Sequence, residues 1–334
     1  MGERSVPDPV LQLDTDVLLR LAVVGVCGSD VHYYVTGRIG SQVVQYPFTV
    51  GHECAAVVEK VGRSVKRVRP GDRVAVEPAM SCGECDQCLA GRPHTCRRLL
   101  FLGCPGQVEG CLSELIVMPE ACCFPLPQDM TLEQACLAEP LSIGIYAVKL
   151  SGTVKGARIG ILGSGPIGLS VLLAARNQGV EAVYMTDRIE ARLAMARQAG
   201  AAWTGNPDRG DVVAAITERE PLLLDTVFEC CGQQEAVDQA VDLLKPGGRL
   251  MMVGIPEVDR ISLVIDKARR KELCLQNVRR QNHCMQAALD LISEGTVNVD
   301  PLITHRFSFA ESQRAFDLVQ AYRDGVIKAV VRLS

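Results

Sequence analysis

The sequence contains no segment suited to a membrane, a signal peptide or a nucleic-acid-binding surface. Across its 334 residues no apolar run reaches the roughly 18 residues that span a bilayer. The amino terminus has no basic stretch followed by an apolar signal core. The net charge of −4 leaves no excess of positive charge to attract nucleic acid or an anionic membrane. We therefore expect a cytoplasmic protein whose partners are small molecules.

Internal repeats, low-complexity segments and long polar linkers are also missing from the sequence. With 48% hydrophobic and 22% charged residues, the composition is typical of a folded globular protein rather than a disordered one. A chain of 334 residues is too long for one ordinary hydrophobic core, so two domains are expected.

The fifteen cysteines do not suit a disulfide framework, because the chain is long, the count is odd and four of them fall within residues 82–96. The spacing Cys82-x2-Cys85-x2-Cys88-x7-Cys96 instead predicts a closed tetrahedral shell around a structural Zn²⁺. Four thiolates also suit an iron–sulfur cluster. We prefer zinc because the last spacing is seven residues and because a dinucleotide motif follows later in the chain.

The pattern of strands and helices changes once along the chain. Short strands broken by Gly and Pro predict a β-rich, barrel-like unit before Pro140, and alternating strands and helices after it predict a parallel sheet. The carboxyl-terminal segment has two helices and a final strand, and we expect it to return to the first unit. The predicted domains are residues 1–140, with the cysteine lobe at about 80–97, residues 141–279, and the return segment 280–334.

A glycine motif, Gly163-Ser-Gly-Pro-Ile-Gly168, lies between an apolar strand and a helix, which is the context of a dinucleotide-binding loop. Gly163 permits the tight turn, Gly165 the approach of a pyrophosphate, and Gly168 close packing of helix on strand. The alternative is an ordinary glycine-rich turn. The candidate cofactor-binding residues are Gly163, Gly165, Pro166, Ile167, Gly168, Asp187, Arg188 and Arg192.

Asp187 lies nineteen residues after Gly168, at the end of the second strand of this unit. A carboxylate there accepts hydrogen bonds from the adenosine ribose and repels a 2′-phosphate, which favours NAD over NADP. Two observations leave alternatives open. Asp187 and Glu190 have the spacing of a helix capping box, and Arg188 is able to accommodate a 2′-phosphate.

A second group of metal-ligand residues is dispersed in the sequence. Cys27 follows an apolar strand, His52 and Glu53 begin the next well-marked strand, and Glu139 lies at the domain transition. A catalytic zinc keeps an open position for substrate, and Cys27 and His52 are its best candidate ligands. Glu53 and Glu139 compete for the third position, one binding directly and the other through the water of the metal. Each residue alone also fits a structural role.

The ordered motifs resemble those of the medium-chain zinc alcohol dehydrogenases over nearly the whole chain. They are Cys-Gly-Ser-Asp-x-His, Gly-His-Glu, Pro-Gly-Asp-Arg-Val, the four-cysteine lobe, Glu-Pro-Leu-Ser and Gly-Ser-Gly-Pro-Ile-Gly. Residues 27–33, 37–40 and 301–307 are similar to the sorbitol (polyol) dehydrogenase branch. The resemblance implies an α/β protein with a GroES-like catalytic domain, a Rossmann coenzyme domain with a doubly wound parallel sheet, and a zinc-containing cleft.

The resemblance also implies roles for particular residues. It gives zinc ligation to Cys27, His52 and Glu53, with Glu139 near the zinc-bound water and the substrate. It gives substrate contact to Ser29, Tyr33 and Arg280, and it implies a homo-tetramer, less often a homo-dimer. At residues 279–281 the chain has Arg-Arg-Gln where polyol dehydrogenases typically have Phe-Arg-Tyr. The family's first strand is expected to be short or absent.

The sequence therefore predicts a zinc- and NAD-dependent dehydrogenase that oxidises a secondary alcohol, such as sorbitol or xylitol, to a ketone. Ser29 is expected to take the proton of the alcohol and to pass it through the nicotinamide ribose to His32. The alternatives are an L-threonine 3-dehydrogenase-like enzyme, a dehydrogenase of another secondary alcohol or of a sugar acid, and a non-catalytic NAD- or zinc-binding regulator. A zinc-ribbon interaction module leaves the glycine motif unexplained.

Overall fold

A computed structural model describes residues 1–256 and 258–333 of the chain. The chain folds into two compact units, one of Met1–Glu139 with Met285–Ser334 and one of Pro140–Cys284. The second boundary lies between residues 284 and 285, where the sequence suggested 279 and 280. Among the described residues, no helix is both long enough and apolar enough to cross a membrane.

Strands and helices cover most of both units. The strands, in chain order, are β1 (Asp16–Gly25), β2 (Arg38–Ile39), β3 (Gln42–Val43), β4 (Glu53–Val61), β5 (Arg73–Val76), β6 (Ala79–Met80), β7 (Leu100–Phe101), β8 (Leu115–Pro119), β9 (Cys123–Pro125), β10 (Arg158–Leu162), β11 (Ala182–Thr186), β12 (Trp203–Gly205), β13 (Leu224–Glu229), β14 (Leu244–Met252), β15 (Cys274–Asn277), β16 (Ile303–Ser308) and β17 (Lys328–Arg332). The α-helices are α1 (Gly28–Thr36), α2 (Asp86–Leu89), α3 (Leu132–Cys136), α4 (Ala138–Ser151), α5 (Pro166–Asn177), α6 (Glu190–Gln198), α7 (Val212–Arg219), α8 (Gln234–Leu243), α9 (Ile265–Arg270), α10 (Met285–Ser293) and α11 (Ser312–Gln320).

The first unit is built on one mixed sheet with strand β1 at its centre. The strand order is β16-β17-β1-β4-β5-β9, and β8 also pairs with β1. Strand β1 is rich in Val and Leu and is buried along almost its whole length, as expected of a strand with neighbours on both edges. Asp16 begins this strand, and its carboxylate accepts the backbone N–H groups of Gln12 and Leu13 at 2.8 Å each.

The carboxyl-terminal segment completes this sheet. Strand β17 pairs antiparallel with β1, and β16 pairs parallel with β17. Glu133 on α3 accepts hydrogen bonds from Arg306 at 2.9–3.1 Å and from Arg332 at 2.7 Å, so one carboxylate joins α3 to both terminal strands. On helix α11 of this segment, the carboxylate of Asp317 accepts a hydrogen bond from the hydroxyl of Tyr34 at 2.9 Å. These contacts attach residues 285–333 to α1 and α3 of the first unit.

The second unit contains a six-stranded parallel sheet in the order β12-β11-β10-β13-β14-β15. The chain runs outward from β10 to β12 and then outward again from β13 to β15. The order therefore reverses between β10 and β13, and ligands of such sheets bind at the carboxyl ends of the strands at this point. The β-rich first unit and this parallel sheet with its helices confirm the predicted α/β fold class.

Two local features fix the helices of this second unit. Pro166 is the first residue of α5, where a missing backbone N–H costs nothing because that group has no partner within the helix. At the carboxyl end of α8, the ammonium group of Lys271 donates to the carbonyls of Val241, Asp242 and Leu244 at 2.7–2.9 Å. The lysine thus satisfies terminal carbonyl groups that the helix leaves unpaired.

Replacing Glu133 with Ala is expected to loosen the carboxyl-terminal strands selectively. The change leaves two arginines without their shared carboxylate and weakens the first unit by about 1–2 kcal/mol. Hydrogen exchange followed by mass spectrometry should show amides of β16 and β17 exchanging about ten times faster. The fluorescence transition of Trp203, in the second unit, should stay unchanged. Glu294→Ala, on an exposed glutamate after α10, is the control, and equal exchange in both variants would contradict the assignment.

Candidate active site and metal centres

The register of the first sheet brings three dispersed ligand residues together. Cys27 lies between the end of β1 and the start of α1, and His52 directly precedes β4. Because β1 and β4 are antiparallel with Gly25 opposite Glu53, these chain segments meet at one end of the sheet. One ligand atom each of Cys27, His52 and Glu53 lies within 4.8 Å of the other two.

A buried carboxylate that the sequence reading missed supports this group. Asp30 is fully buried in the first turn of α1, and its Oδ1 lies 3.2 Å from Nδ1 of His52. The same carboxylate accepts the backbone N–H groups of Gly51 at 3.1 Å and of Cys27 at 3.4 Å. It therefore holds both ligand-bearing segments. The local motif Cys-Gly-Ser-Asp contained the signal, because an acidic residue in a first helical turn often accepts backbone N–H groups.

The three residues fit a catalytic zinc ion by their chemistry. With Nδ1 of His52 directed at Asp30, the other ring nitrogen is left to bind a metal, and such a carboxylate fixes the ring of a ligand histidine. Burial alone would lower the pKa of His52, but Asp30 and Cys27 outweigh it and raise that pKa well above its ordinary value. A thiolate, an imidazole and a carboxylate leave a fourth position open for a further ligand.

Glu53 forms a buried ion pair that the sequence did not predict. The Lys328 ammonium group lies 2.6 and 2.8 Å from the two oxygens of Glu53, and both side chains are buried. Burial would lower the pKa of Lys328, but Glu53 and Cys27 raise it above its ordinary value. Gly25 makes room for the pair, since a Cβ atom there would lie 2.3 Å from Oε2 of Glu53. The only sequence signal for Lys328 was one cation inside an apolar strand.

Glu139, the competing carboxylate, lies outside the set of three mutually close ligand atoms. It is buried in the first turn of α4, and burial raises its pKa to about 8 although His52 opposes the shift. Glu53 thus shares the close set with Cys27 and His52, and Glu139 lies near enough to His52 and Glu53 to interact with their charges. The role of Glu139 at the water and the substrate stays a prediction.

Helix α1 carries the remaining residues predicted to act on the substrate in this unit. The hydroxyl of Ser29 donates to the sulfur of Cys27 at 3.4 Å. His32 and Tyr33 follow three and four residues later, so they share a helix face with Ser29. Tyr33 is buried, whereas His32 and Ser29 are partly exposed. The ring of Phe101 lies 5.4 Å from the ring of His52 and forms a further apolar neighbour of the ligand set.

The four predicted lobe cysteines converge on one point. Their sulfur–sulfur distances are 3.4 Å for Cys96 to Cys82, 3.6 Å for Cys85 to Cys88, 3.8 Å for Cys85 to Cys96 and 3.9 Å for Cys82 to Cys88. In a tetrahedron with Zn–S bonds of about 2.3 Å, neighbouring sulfur atoms lie about 3.8 Å apart. A disulfide needs about 2.05 Å, and an iron–sulfur cluster distributes its cysteines over separate iron atoms. The lobe fits one tetrahedral ion.

Backbone N–H groups prepare these thiols for metal binding. The sulfur of Cys96 accepts the N–H groups of Cys82 and Arg98 at 3.3 Å each. A hydrogen bond from the backbone of Glu84 is the largest cause of a lowered pKa at Cys82, which falls to about 6. Helix α2 and a short 3₁₀ turn at Pro93–Thr95 fold the segment so that its four side chains point inward.

The glycine motif of the second unit has the geometry of a phosphate-binding loop. Gly163 follows β10 with φ of 104°, a conformation that residues with side chains rarely adopt. A Cβ atom on Gly168 would lie 1.9 Å from the carbonyl oxygen of Gly163, so helix and strand could not approach as closely with any other residue. A Cβ atom on Gly165 would meet only Arg192, at 3.4 Å. The start of α5, with Pro166 and Ile167, is therefore open to a phosphate beside a guanidinium group.

Asp187 is engaged with the loop itself. Its carboxylate accepts the backbone N–H of Ser164 at 2.7 Å and that of Ile189 at 2.9 Å, and Arg192 lies 4.0 Å away. The predicted capping box with Glu190 is wrong, because Ile189 is the N-cap of α6 and the Asp187 side chain bonds that residue instead. The neighbouring Arg188 pairs with Asp208, with its Nε 2.9 and 3.0 Å from the two carboxylate oxygens.

Arg280 lies in the second unit, between β15 and α10, with φ of 53°. This left-handed conformation is uncommon for a residue with a side chain and marks a special position of the backbone. Its contact with a substrate stays a prediction.

Comparison with known proteins agrees with these geometries. Residues 13–128 match the family model described as the alcohol dehydrogenase GroES-like domain, and residues 166–294 match that described as zinc-binding dehydrogenase. The chain is 34% identical to sorbitol dehydrogenase of Bacillus subtilis, over 98% of this chain and 92% of that protein. It is 35% identical to L-idonate 5-dehydrogenase of Vitis vinifera, over 90% of this chain and 84% of that protein.

Two solved structures resemble the whole chain. A zinc-binding dehydrogenase from Sinorhizobium meliloti bound to NADP has a TM-score of 0.89 at 30% identity, covering 99% of this chain and 94% of that one. An alcohol dehydrogenase (rspB) from Escherichia coli complexed with NADH has a TM-score of 0.89 at 26% identity, with the same coverage. The chain belongs to the zinc-dependent medium-chain alcohol dehydrogenase family, in its sorbitol dehydrogenase-like branch, and is an oxidoreductase that acts on CH–OH groups.

Proposed function

We propose that the protein is an NAD-dependent dehydrogenase that oxidises one secondary hydroxyl of a polyol, such as sorbitol or xylitol, to a ketone. The observation that carries the proposal is the set Cys27, His52 and Glu53, which leaves a fourth ligand position open beside the hydroxyl of Ser29. The relatives named for sorbitol and L-idonate support a substrate with several hydroxyl groups.

Cys27, His52 and Glu53 would hold the catalytic zinc, and the four lobe cysteines would hold a structural one. When bound, the catalytic ion supplies a Lewis acid that makes the hydroxyl of an alcohol acidic near neutral pH. Asp30 keeps His52 in the ligating tautomer, and Lys328 offsets the negative charge of Glu53. Glu139 is the second acidic group of the site, placed to interact with a water or a substrate hydroxyl.

Ser29 and His32 are proposed to carry the proton out of the site. Ser29 would take the proton of the alcohol hydroxyl while giving up its own, and His32 would release that proton to solvent. The partly exposed position of His32, one helical turn after Ser29, supports its role as the exit to solvent. NAD, when bound, would supply the acceptor for the hydride of the alcohol carbon.

NAD rather than NADP is the proposed coenzyme. The open surface at Gly165 and the nearby Arg192 suit the pyrophosphate, and Asp187 suits the ribose hydroxyls. Arg188, the cation that could bind a 2′-phosphate, forms an ion pair with the Asp208 carboxylate, which competes with a phosphate for it. Since one similar structure holds NADP, the preference depends on these side chains rather than on the fold.

We also propose a cytoplasmic location and a homo-tetramer, with a homo-dimer as the alternative. All fifteen cysteines are free thiols, which suits a reducing compartment. The oligomeric state is proposed from the resemblance to the family, and light scattering of the purified chain measures it.

Initial rates of NADH formation test the proposed activity directly. Sorbitol and xylitol are expected to give the highest rates, above L-threonine and above aldonates, and prolonged chelation should abolish them because an alcohol is a poor hydride donor without the Lewis acid. Added Zn²⁺ should restore activity. Higher rates with aldonates would favour a sugar acid paired with Arg280, the second candidate that the L-idonate relative supports. Undiminished turnover after loss of all zinc would contradict the mechanism.

Replacing Cys27 or His52 with Ala should lower kcat by at least about a thousandfold. Zinc content should fall by one ion per chain, since the lobe cysteines are untouched, and NADH binding measured by fluorescence should stay within twofold. Cys274→Ala, on an exposed cysteine of the second unit, is the matched control. A variant that loses NADH binding to the same degree as turnover would show that these residues do not act as zinc ligands.

Asp187→Ala should weaken the preference for NAD. The variant loses the carboxylate that would bind the ribose and repel a 2′-phosphate, and it also frees the N–H of Ser164 in the loop. We expect the ratio of kcat/KM for NAD to that for NADP to fall about tenfold or more. Asp208→Ala is the companion variant, because it releases Arg188 and should raise activity with NADP without altering NAD binding. Wild-type protein that uses both coenzymes equally would refute the role of Asp187.

A further inference from the structure

The side chains of Tyr33, Gln42 and Cys104 form a hydrogen-bonded group. The resemblance to the family assigned no role to Gln42 or Cys104. The hydroxyl of Tyr33 donates to Oε1 of Gln42 at 3.1 Å, and Nε2 of Gln42 donates to the sulfur of Cys104 at 2.8 Å. Cys104 also contacts the tyrosine hydroxyl. Tyr33 and Cys104 are buried, and Gln42 is partly buried. We call these residues the Tyr33 triad.

Three separate parts of the first unit position this triad. Tyr33 lies on α1, which ends at Gly37 in the left-handed conformation. Gln42 lies on a two-stranded hairpin, where it pairs with Ile39 directly after the helix. Only Gly37 separates α1 from the hairpin, so Gln42 lies close in sequence to the end of the helix that carries Tyr33.

The third part, the loop of residues 101–104, connects the triad to the metal ligands. The loop begins with Phe101 against the ring of His52 and ends with Cys104. Between them, Gly103 lies directly on the backbone before His52, because a Cβ atom there would come within 2.5 Å of the carbonyl oxygen of Gly51. One loop therefore contacts both the ring of His52 and the backbone before it and also carries Cys104 of the triad. Tyr33 itself is close enough to His52 to interact with its charge.

The direction of the hydrogen bonds decides what Tyr33 can offer to a substrate. A tyrosine hydroxyl has one proton and two lone pairs. The tyrosine hydroxyl donates its proton to Oε1 of Gln42. Burial, Cys104 and Asp30 raise the pKa of Tyr33, so the phenol stays protonated. A flip of the Gln42 amide would reverse both of its bonds together, so one amide orientation sets the direction of each. In the orientation of this structure, Oε1 accepts from Tyr33 and Nε2 donates to Cys104. The phenol oxygen is thus left as a hydrogen-bond acceptor.

We propose that Gln42 determines substrate specificity by acting as a positioning residue, because it orients Tyr33 to accept a hydrogen bond from a second hydroxyl group of the substrate. The inference rests on the proposed function and adds to it a reason for preferring polyols. A mono-alcohol has no second hydroxyl and would leave the phenol oxygen without a donor. A site built to hydrogen-bond a hydroxyl discriminates strongly against an analogue that lacks it.

Xylitol and 2-pentanol test this inference, since both have five carbons and a secondary hydroxyl and differ in the additional hydroxyl groups. In Gln42→Met, which keeps the length of the side chain and removes the amide, kcat/KM for xylitol should fall about tenfold or more while that for 2-pentanol stays within about threefold. Gln42→Glu retains an acceptor for the tyrosine proton and should restore most of the xylitol activity. Gln45→Met, on an exposed glutamine of the same segment, is the matched control.

Tyr33→Phe provides the second arm of the test and keeps it decisive if Gln42→Met is unstable. Tyr33→Phe should lower the ratio of xylitol to 2-pentanol activity as Gln42→Met does, and the double variant should lose no more than either single one. Thermal unfolding and zinc content should match the wild type. Equal loss with both substrates, or additive losses in the double variant, would overturn the role of Gln42 and leave the proposed function standing. Wild-type protein that oxidises neither sorbitol nor xylitol with NAD would overturn both proposals.

Discussion

The antiparallel register of β1 and β4 is the constraint on which the metal site depends. With Gly25 opposite Glu53, the chain leaving β1 and the chain entering β4 meet at one end of the sheet. Cys27 follows the first strand and His52 precedes the second, so a shift of one residue would turn Glu53 to the other face of the sheet. The glycine is part of this register, because any side chain at position 25 would occupy the space of the Glu53 carboxylate.

Burying so many charged groups in one place requires that each has a partner. Asp30 meets His52 and two backbone N–H groups, and Glu53 meets Lys328. An unpaired buried charge would cost several kcal/mol, whereas paired groups hold each other in one geometry. These partners come from α1 and from β17, at opposite ends of the chain. The return of the carboxyl-terminal segment is therefore necessary for the ligand set as well as for the sheet.

Local spacing was sufficient to predict the cysteine lobe and the glycine motif, whereas the side-chain partners of the ligand residues were missed. The four lobe cysteines fall within one short segment, and the glycine motif has its strand and helix on either side, so both could be read directly. The pairing of Lys328 with Glu53 joins residues 275 positions apart, and only the sheet order reveals it. Asp187 illustrates a different limit. Its spacing from Glu190 suggested a capping box, but in the structure its carboxylate accepts a hydrogen bond from the backbone N–H of Ile189.

Helix α1 explains how the metal ligands and the substrate contacts can differ in their freedom to change. Its first turn, with Cys27 as N-cap and Asp30, is fixed by the buried charges, and any change there disturbs the ligands. Its later turn carries Tyr33, whose partners lie on the hairpin at residues 38–43 and the loop at 101–104. Neither Gln42 nor Cys104 belongs to the set of ligand atoms. The proposal therefore assigns the choice of alcohol to Gln42 and Cys104, through the hydrogen bonding of Tyr33, and the binding of the metal to other residues.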